Sequence, residues 1–407
     1  MPTAADDHTG DSAAARRLAQ SLLQPDLWVV DSHQPGTAAQ LMETHISRII
    51  LTGNSAFKLR KPVNPGFADF STLAKRKFDC EEELRLNRRL SPHLYLGIIP
   101  ITGTPEQPEI DGDGPPIEYA VHMRRFPQEA LLLRVCEEGR LQPHHIDRLA
   151  EELADFHLSI PPAPVDSTLG TPADVLAAAR GNFEHLQPVL QSLSESLASQ
   201  PAERSDGLSL AQVDQTKGTI DELQQLTEET FQQLEPLFRL RREQGWIREC
   251  HGDLHLQNML LEDDRVVIFD CVEFNEEFRW IDILSDVCFA VMDLVANGHP
   301  ALGWRLLDRW VERTDSYSAL PAARFYLVYR AMVRAKVAGI RLQNALEELA
   351  QGEQVELNAD WEELARYVRL AREFTSVYLP ALILTYGVSG SGKTTLTSPL
   401  VEQLPAI

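Results

Sequence analysis

His251-Gly252-Asp253-Leu254-His255-Leu256-Gln257-Asn258, with Asp270 twelve residues further on, spaces an acid, an amide and a second acid as phosphoryl transfer requires. A phosphoryl donor carries several negative oxygens, so moving its terminal group to a hydroxyl needs a divalent cation held by oxygen ligands and a carboxylate that orients the nucleophile. Asp253 fits the role of catalytic base, Asn258 offers a neutral oxygen to Mg²⁺, and Asp270 offers a charged one. Each residue taken alone would more simply serve a turn. The joint spacing points to chemistry.

These residues need elements to hold them. Val266-Val267-Ile268-Phe269 reads as an apolar strand that ends at Asp270, and a helix ending near Trp246 leads into the Asp253 loop. Upstream, His45 to Leu51 and Ser55 to Arg60 read as two strands around the Thr52-Gly53-Asn54 turn, with Pro62 and Pro65 closing the second. Ser71 or Thr72 caps a helix that contains Cys80 to Leu90. Tyr95 to Ile101 and Glu118 to Met123 read as strands separated by the turn-rich segment 105–116. From Pro143 the pattern turns helical: Ile146, Leu149, Leu153 and Phe156 recur at three- and four-residue steps. Residues 161–209 are weakly patterned and read as variable loops. Helices are expected from about Ile220 to Leu237, Ile281 to Leu294, Ala322 to Leu349 and Trp361 to Val377.

The chain of 407 residues, with 43% hydrophobic content, is long enough for more than one domain. Its formal charge of −22 disfavours nucleic-acid backbone and anionic membrane as partners, since both reward clustered Lys and Arg. A small molecule bearing a hydroxyl is the expected partner; the sequence leaves the oligomeric state open. The polar, acidic start and the absence of an apolar run near the roughly 20 residues of a membrane span imply a cytoplasmic protein. Five cysteines without close paired spacing read as buried free thiols.

A second motif lies at the C-terminal end. Ala381-Leu-Ile-Leu-Thr-Tyr386 reads as a buried strand feeding Gly387-Val388-Ser389-Gly390-Ser391-Gly392-Lys393-Thr394, a phosphate-binding loop. Backbone N–H groups from Gly387 through Gly390 to Gly392 would wrap a phosphate, Lys393 would reach the β- and γ-phosphates, and Thr394 would ligate Mg²⁺. Thirteen residues follow Thr394, so the loop is read as the first strand, loop and helix of an incomplete α/β domain.

The His251 to Asn258 segment with Asp270 resembles the signature of the aminoglycoside phosphotransferase and choline kinase group, relatives of the protein kinases. Phe57-Lys-Leu-Arg-Lys-Pro-Val63, Glu82-Glu-Leu-Arg-Leu-Asn-Arg-Arg-Leu90, Asp270-Cys-Val-Glu-Phe-Asn275 and Tyr329-Arg-Ala-Met-Val-Arg-Ala-Lys-Val337 further resemble bacterial two-part proteins, in which such a domain precedes a P-loop kinase-like domain. The resemblance implies an α+β, bilobal protein kinase-like fold binding ATP and Mg²⁺. It also implies a lysine on the second hairpin strand that holds the α- and β-phosphates. Lys58 in Ala56-Phe57-Lys58 matches, with Arg60 and Lys61 as rivals; Arg60 shares its strand face. Glu81, Glu82 and Glu83 each offer the helix carboxylate that pairs with this lysine, and the family spacing to Leu90 favours Glu83. Asp286 matches an acid that binds the catalytic-loop backbone. His255 could touch phosphate or simply pack. Arg330, Arg334 and Arg341 share a helix side that reads as a salt-bridge face.

The expected organisation is a flexible segment 1–25, a kinase-like N-lobe 26–125, a helical C-lobe 126–378 and the P-loop segment 379–407. The expected activity is an ATP- and Mg²⁺-dependent kinase acting on a small-molecule hydroxyl. The competing readings are a nucleotide-binding regulatory scaffold with a silent kinase-like domain, and a P-loop ATPase or kinase centred on Lys393.

Overall fold

A computed structural model describes residues 13–24, 27, 39–64, 66, 68–199, 208–351, 355–376, 386–393, 395–397 and 400. In chain order its helices and strands are α1 (Ala13–Ser21), β1 (Gln40–Glu43), β2 (Ser47–Thr52), β3 (Ser55–Arg60), α2 (Leu73–Asn87), β4 (Tyr95–Gly103), β5 (Pro108–Ile110) and β6 (Glu118–Arg124). These are followed by α3 (Leu132–Glu137), α4 (Pro143–Ser159), α5 (Pro172–Ser199), α6 (Leu210–Glu243), β7 (Ile247–Glu249), β8 (Met259–Glu262) and β9 (Arg265–Ile268). The last are β10 (Trp280–Asp282), α7 (Ile283–Ala296), α8 (Pro300–Thr314), α9 (Leu320–Ala350) and α10 (Asn358–Phe374). The fold class is α+β, as expected. The chain divides into two compact units, one of residues 1–135, 251–253 and 257–279, the other of residues 136–250, 254–256 and 280–407.

The first unit is built on a six-stranded antiparallel sheet in the order β1-β2-β3-β6-β4-β5. The β2–β3 hairpin closes on Gly53 and Asn54 with Thr52 opposite Ser55, and Gly53 takes the positive φ (+47°) that two-residue hairpin turns demand. Alternation along β3 then sorts its side chains. Phe57 and Leu59 join Leu18 and Leu22 from α1 and its end, with Ile50, Ile101 and Ala120, in a core on one face. Ala56 joins Cys80, Tyr95, Val121, Leu260 and Phe269 on the other. Residues 1–25, expected as a flexible lead, thus include a helix that covers sheet surface. Helix α2 is capped by Thr72, whose hydroxyl accepts from the Lys75 amide at 3.3 Å. Within the turn-rich segment 105–116, β5 pairs with β4.

In the same unit β8 and β9 form a hairpin whose turn residues Asp263 and Asp264 both have positive φ (+47° and +64°), the conformation that suits a tight turn to twisted strands. Its register sets Met259 against Ile268, so the chain just outside the hairpin brings Asn258 beside Phe269.

The second unit is helical, with a small β7–β10 ladder. Asp282 caps α7, accepting from the Leu284 amide at 2.9 Å, and takes both arms of Arg241 at 2.5 and 2.6 Å in a buried pair. Residues 161–209 depart from expectation: α5 runs 28 residues through them. Its apolar side chains are spaced helically, with Phe183, Leu186, Val189, Leu190 and Leu193 all buried, but Ser, Gln and Ala between them mute the contrast. Helix α8 lies between two expected helices and was not anticipated. No helix among the described residues is long and apolar enough to cross a membrane. All five cysteines are free and buried, as expected.

Candidate active site

Lys58 projects from β3 on the Ala56 face, and its ammonium donates to Glu83 Oε1 at 2.8 Å and to Asp270 Oδ1 at 2.7 Å. The three alternatives on α2 separate cleanly. Glu83 is 1% exposed and pairs with Lys58; Glu81 is an exposed partner of Lys77, and Glu82 turns to Arg85 and Arg279. The rivals of Lys58 separate as well. Arg60 is buried against Asp79, Glu83 and Glu273, and Lys61 lies 3.8 Å from Glu43.

Burial pushes the Lys58 ammonium down, but the carboxylates of Asp270 and then Glu83 more than reverse this, leaving it above the usual lysine range. Burial pushes Asp270 up; the charge and hydrogen bond of Lys58 outweigh it and hold the carboxyl below its usual range, while Asp253 nearby opposes them. Both groups therefore stand charged at neutral pH.

The β8–β9 hairpin explains how residues twelve apart in sequence meet. The Phe269 amide donates to the Asn258 carbonyl at 3.0 Å, so Asp270 follows directly beside Asn258. Asp270 adopts φ +62°, a left-handed conformation uncommon for a residue with a Cβ, and its amide donates to the Tyr95 hydroxyl at 3.1 Å. The Cys271 amide donates to Asn87 Oδ1 at 2.9 Å. Side chains from the α2 end and β4 thus hold the backbone that carries Asp270.

Asp253 is oriented from two sides. Asn258 Nδ2 donates to its carboxylate Oδ2 and its backbone oxygen, both at 3.0 Å. His251 Nδ1 accepts from the Asp253 amide at 3.2 Å, and its Nε2 lies 2.8 Å from the Phe269 carbonyl, so the ring carries its proton on Nε2 and ties the loop to the hairpin. Between them Gly252 has φ +88°, and a Cβ there would stand 2.7 Å from the Phe278 carbonyl oxygen. Only glycine fits this close approach.

The oxygen set is one a hard divalent cation takes. With its amide nitrogen on Asp253, Asn258 keeps its carbonyl oxygen for a cation. Asp270 is 41% exposed at the side chain and has one oxygen on Lys58, with no partner for the other among the described residues. The proximity of the Asp253 and Asp270 carboxylates adds negative charge that a cation would offset.

Tyr95, Asn87 and His251 carried no role in the sequence reading. Their partners lie 175, 184 and 18 residues away in the chain, pairings visible only once the fold is known. In the second unit, Asp293 Oδ2 accepts from the Leu256 amide at 2.9 Å. Asp286 pairs with His157 at 3.1 Å, both fully buried. His255 is buried with its ring 5.8 Å from that of Phe289. Arg334 and Arg341 pair with Glu363, and Arg341 also with Asp360, so the salt-bridge reading of that helix side holds for these two; Arg330 is buried and donates to the Ser285 carbonyl.

In the C-terminal motif, Lys393 Nζ donates to the Gly387 and Val388 carbonyls, each at 2.8 Å, and Gly390 and Gly392 have φ of +78° and +81°. Thr394 and residues 381–385 of the expected strand lie outside the described residues.

No protein-family model matches the sequence. Proteins from Mycobacterium tuberculosis and Mycobacterium bovis, both described as uncharacterized, are 29% identical over 364 residues, covering 89% of this chain. The chain spans 65% of the length of these relatives. Among solved structures, an amicoumacin kinase in complex with AMP-PNP, Ca²⁺ and its ligand is 12% identical, with 90% of this chain and 95% of that one covered at a TM-score of 0.46. A Plasmodium vivax ethanolamine kinase is 11% identical, with 85% and 86% covered at 0.44. A choline/ethanolamine kinase family protein from Mesorhizobium loti is 12% identical, with 88% and 99% covered at 0.43.

Proposed function

We propose that the chain is an ATP- and Mg²⁺-dependent phosphotransferase that moves the γ-phosphoryl group to a hydroxyl of a small molecule. The observation that carries this reading is the pair of charge-assisted hydrogen bonds from Lys58 to Glu83 and Asp270. A strand lysine paired with a glutamate on the following helix is the disposition that holds donor phosphates in protein kinases, and the pairing of the same lysine with Asp270 supports reading Asp270 as the metal-binding acid.

In this reading Asp253 accepts the proton of the acceptor hydroxyl, and Asn258 and Asp270 hold Mg²⁺, which when bound would neutralise charge on the donor oxygens. Lys58 binds the α- and β-phosphates while Glu83 fixes its direction. Asn258 keeps the Asp253 carboxylate turned for proton acceptance, so orientation of the base is set before substrate arrives. The acceptor is a small hydroxylated metabolite; aminoglycosides belong to the same chemical class and are not singled out by any residue.

Gly387 to Lys393 belongs, in the same proposal, to a second phosphate-binding segment of a two-part protein, with Thr394 as its metal ligand. The lysine already turned onto its own loop supports this. The catalytic reading is tested by incubating the protein with labelled ATP, Mg²⁺ and a panel of hydroxylated metabolites and aminoglycosides. ATP binding without transfer or hydrolysis across the panel would favour the scaffold reading instead.

A further inference from the structure

Glu83 gives one carboxylate oxygen to Lys58 and the other to Arg60, whose Nη2 lies 3.1 Å from Oε2. The same Arg60 nitrogen pairs with Glu273, and the Arg60 side chain is 2% exposed. Glu273 sits three residues after Asp270, and Asp270 returns to Lys58. These contacts close a circuit: Lys58, Glu83, Arg60, Glu273, and along the chain to Asp270. Two residues on one face of β3, spaced by two, therefore grip the Asp270 to Glu273 segment at both ends. Asp79, Glu83 and Glu273 bring carboxylate oxygens within 4.8 Å of one another, a convergence that would suit a metal ion, but the Arg60 guanidinium is the cation that occupies it.

We infer that Arg60 and Glu273 are positioning residues that set the metal affinity of Asp270, an inference that rests on the phosphotransfer reading. Lys58 cannot keep its full hold on Asp270 once that carboxylate takes a cation and the ammonium turns to donor phosphates. The Lys58 end of the grip is thus loosened by substrate, whereas the Arg60 end touches neither metal nor phosphate and persists. Asp270 takes a left-handed backbone conformation, so the direction of its carboxylate depends on the anchors that remain: Tyr95 and Asn87 on the backbone at Asp270 and Cys271, and Arg60 on the side chain of Glu273. Outer partners of metal ligands commonly govern metal affinity by about ten- to a hundredfold. Arg279, which donates to the Glu273 carbonyl at 3.0 Å, supports the same turn from its other side.

The test is calorimetric ATP binding to the full chain at stepped Mg²⁺, with Mn²⁺ as a second metal, for wild type and Glu273→Gln. The amide keeps the shape and removes the charge. The expected result is an increase of about tenfold in the metal concentration giving half-maximal ATP binding, with metal-free ATP affinity unchanged. A merely structural role would lower both together or neither. A folded Glu273→Gln with the wild-type metal requirement overturns the inference. Should this variant not fold, Arg60→Lys carries the same measurement, expecting the same shift and overturned by its absence. Wild-type protein that binds neither Mg²⁺ nor ATP with Mg²⁺ overturns the phosphotransfer reading and the inference together, whereas metal-dependent binding identical in wild type and variant overturns the inference alone.

Discussion

Asn258 donates through its amide nitrogen to Asp253 Oδ2 at 3.0 Å, so a residue read as a metal ligand also aims the residue read as the base. The bond couples the two roles: the amide has one oxygen and one nitrogen, and each faces a different task. Asp253→Ala removes the proton acceptor but leaves Lys58, Glu83 and Asp270 in place. Turnover should fall about 10²- to 10⁴-fold, the range of general base catalysis, while ATP affinity measured by calorimetry stays within a few-fold. Turnover that survives this substitution would remove Asp253 from the mechanism.

The Lys58–Asp270 pair sets a pH window for stability. The Lys58 charge and hydrogen bond hold the folded pKa of Asp270 below its unfolded value, so its contribution is fully present above the usual carboxylate range and is lost as pH falls through the folded pKa. Lys58 has a folded pKa above 10.5, so its contribution is fully present below 10.5 and is lost as pH rises through the folded pKa. Between these limits the pair adds a constant term. Melting temperatures followed from acid to alkaline pH should show the alkaline decline blunted in Lys58→Met, together with a lower plateau, because Glu83 and Asp270 lose their shared cation. An alkaline limb identical to wild type would show that Lys58 does not titrate in this way.

Gly252→Ala tests whether the close approach in the catalytic loop is required. The left-handed conformation alone costs an ordinary residue about 1–2 kcal/mol, and the Phe278 carbonyl at 2.7 Å from the new Cβ is backbone, which cannot turn aside. Chemical denaturation should register a loss of at least about that size, with turnover reduced because Asp253 is the next residue. Wild-type stability and rate would mean the loop relaxes freely.

Sequence spacing was most informative where a short device joins distant positions. The β8–β9 hairpin, bounded by Asn258 and Asp270, could be read because its apolar strand and the twelve-residue interval are both local. Lys58 was legible as one of three basic residues, and strand alternation narrowed it. What alternation does not reveal is burial: Arg60 has the same face and charge as Lys58, yet it is sealed among acids while Lys58 keeps contact with partly exposed Asp270. Likewise Glu81, Glu82 and Glu83 are chemically alike, and only the rotation of α2 turns the last inward. Tyr95 and Asn87 act through single hydrogen bonds across 175 and 184 residues of chain, for which no local pattern exists. The reading of 161–209 as loop failed for a different reason: propensity and contrast are weak there, and tertiary burial of one stripe decides the outcome.

That stripe makes its own prediction. Phe183 in α5 is 1% exposed, and truncation of a buried phenylalanine typically costs about 3–5 kcal/mol. Phe183→Ala should therefore shift the denaturation midpoint strongly, whereas alanine at the exposed Gln187 of the same helix should leave it almost unchanged. Equal, small effects at both positions would argue that residues 161–209 are loop after all.

Lys393→Ala separates the two phosphate-binding motifs. The Lys393 ammonium donates to the Gly387 and Val388 carbonyls, holding the loop on itself. If phosphoryl transfer belongs to Asp253, Asn258 and Asp270, then Lys393→Ala should leave kcat within about twofold, since exposed side chains outside the functional groups usually perturb little when truncated, while Asp253→Ala lowers turnover by orders of magnitude. The reverse pattern, activity lost with Lys393 and spared without Asp253, would transfer the catalytic role to the glycine-rich loop. Measuring both variants in one assay decides between the motifs because each substitution leaves the other motif intact.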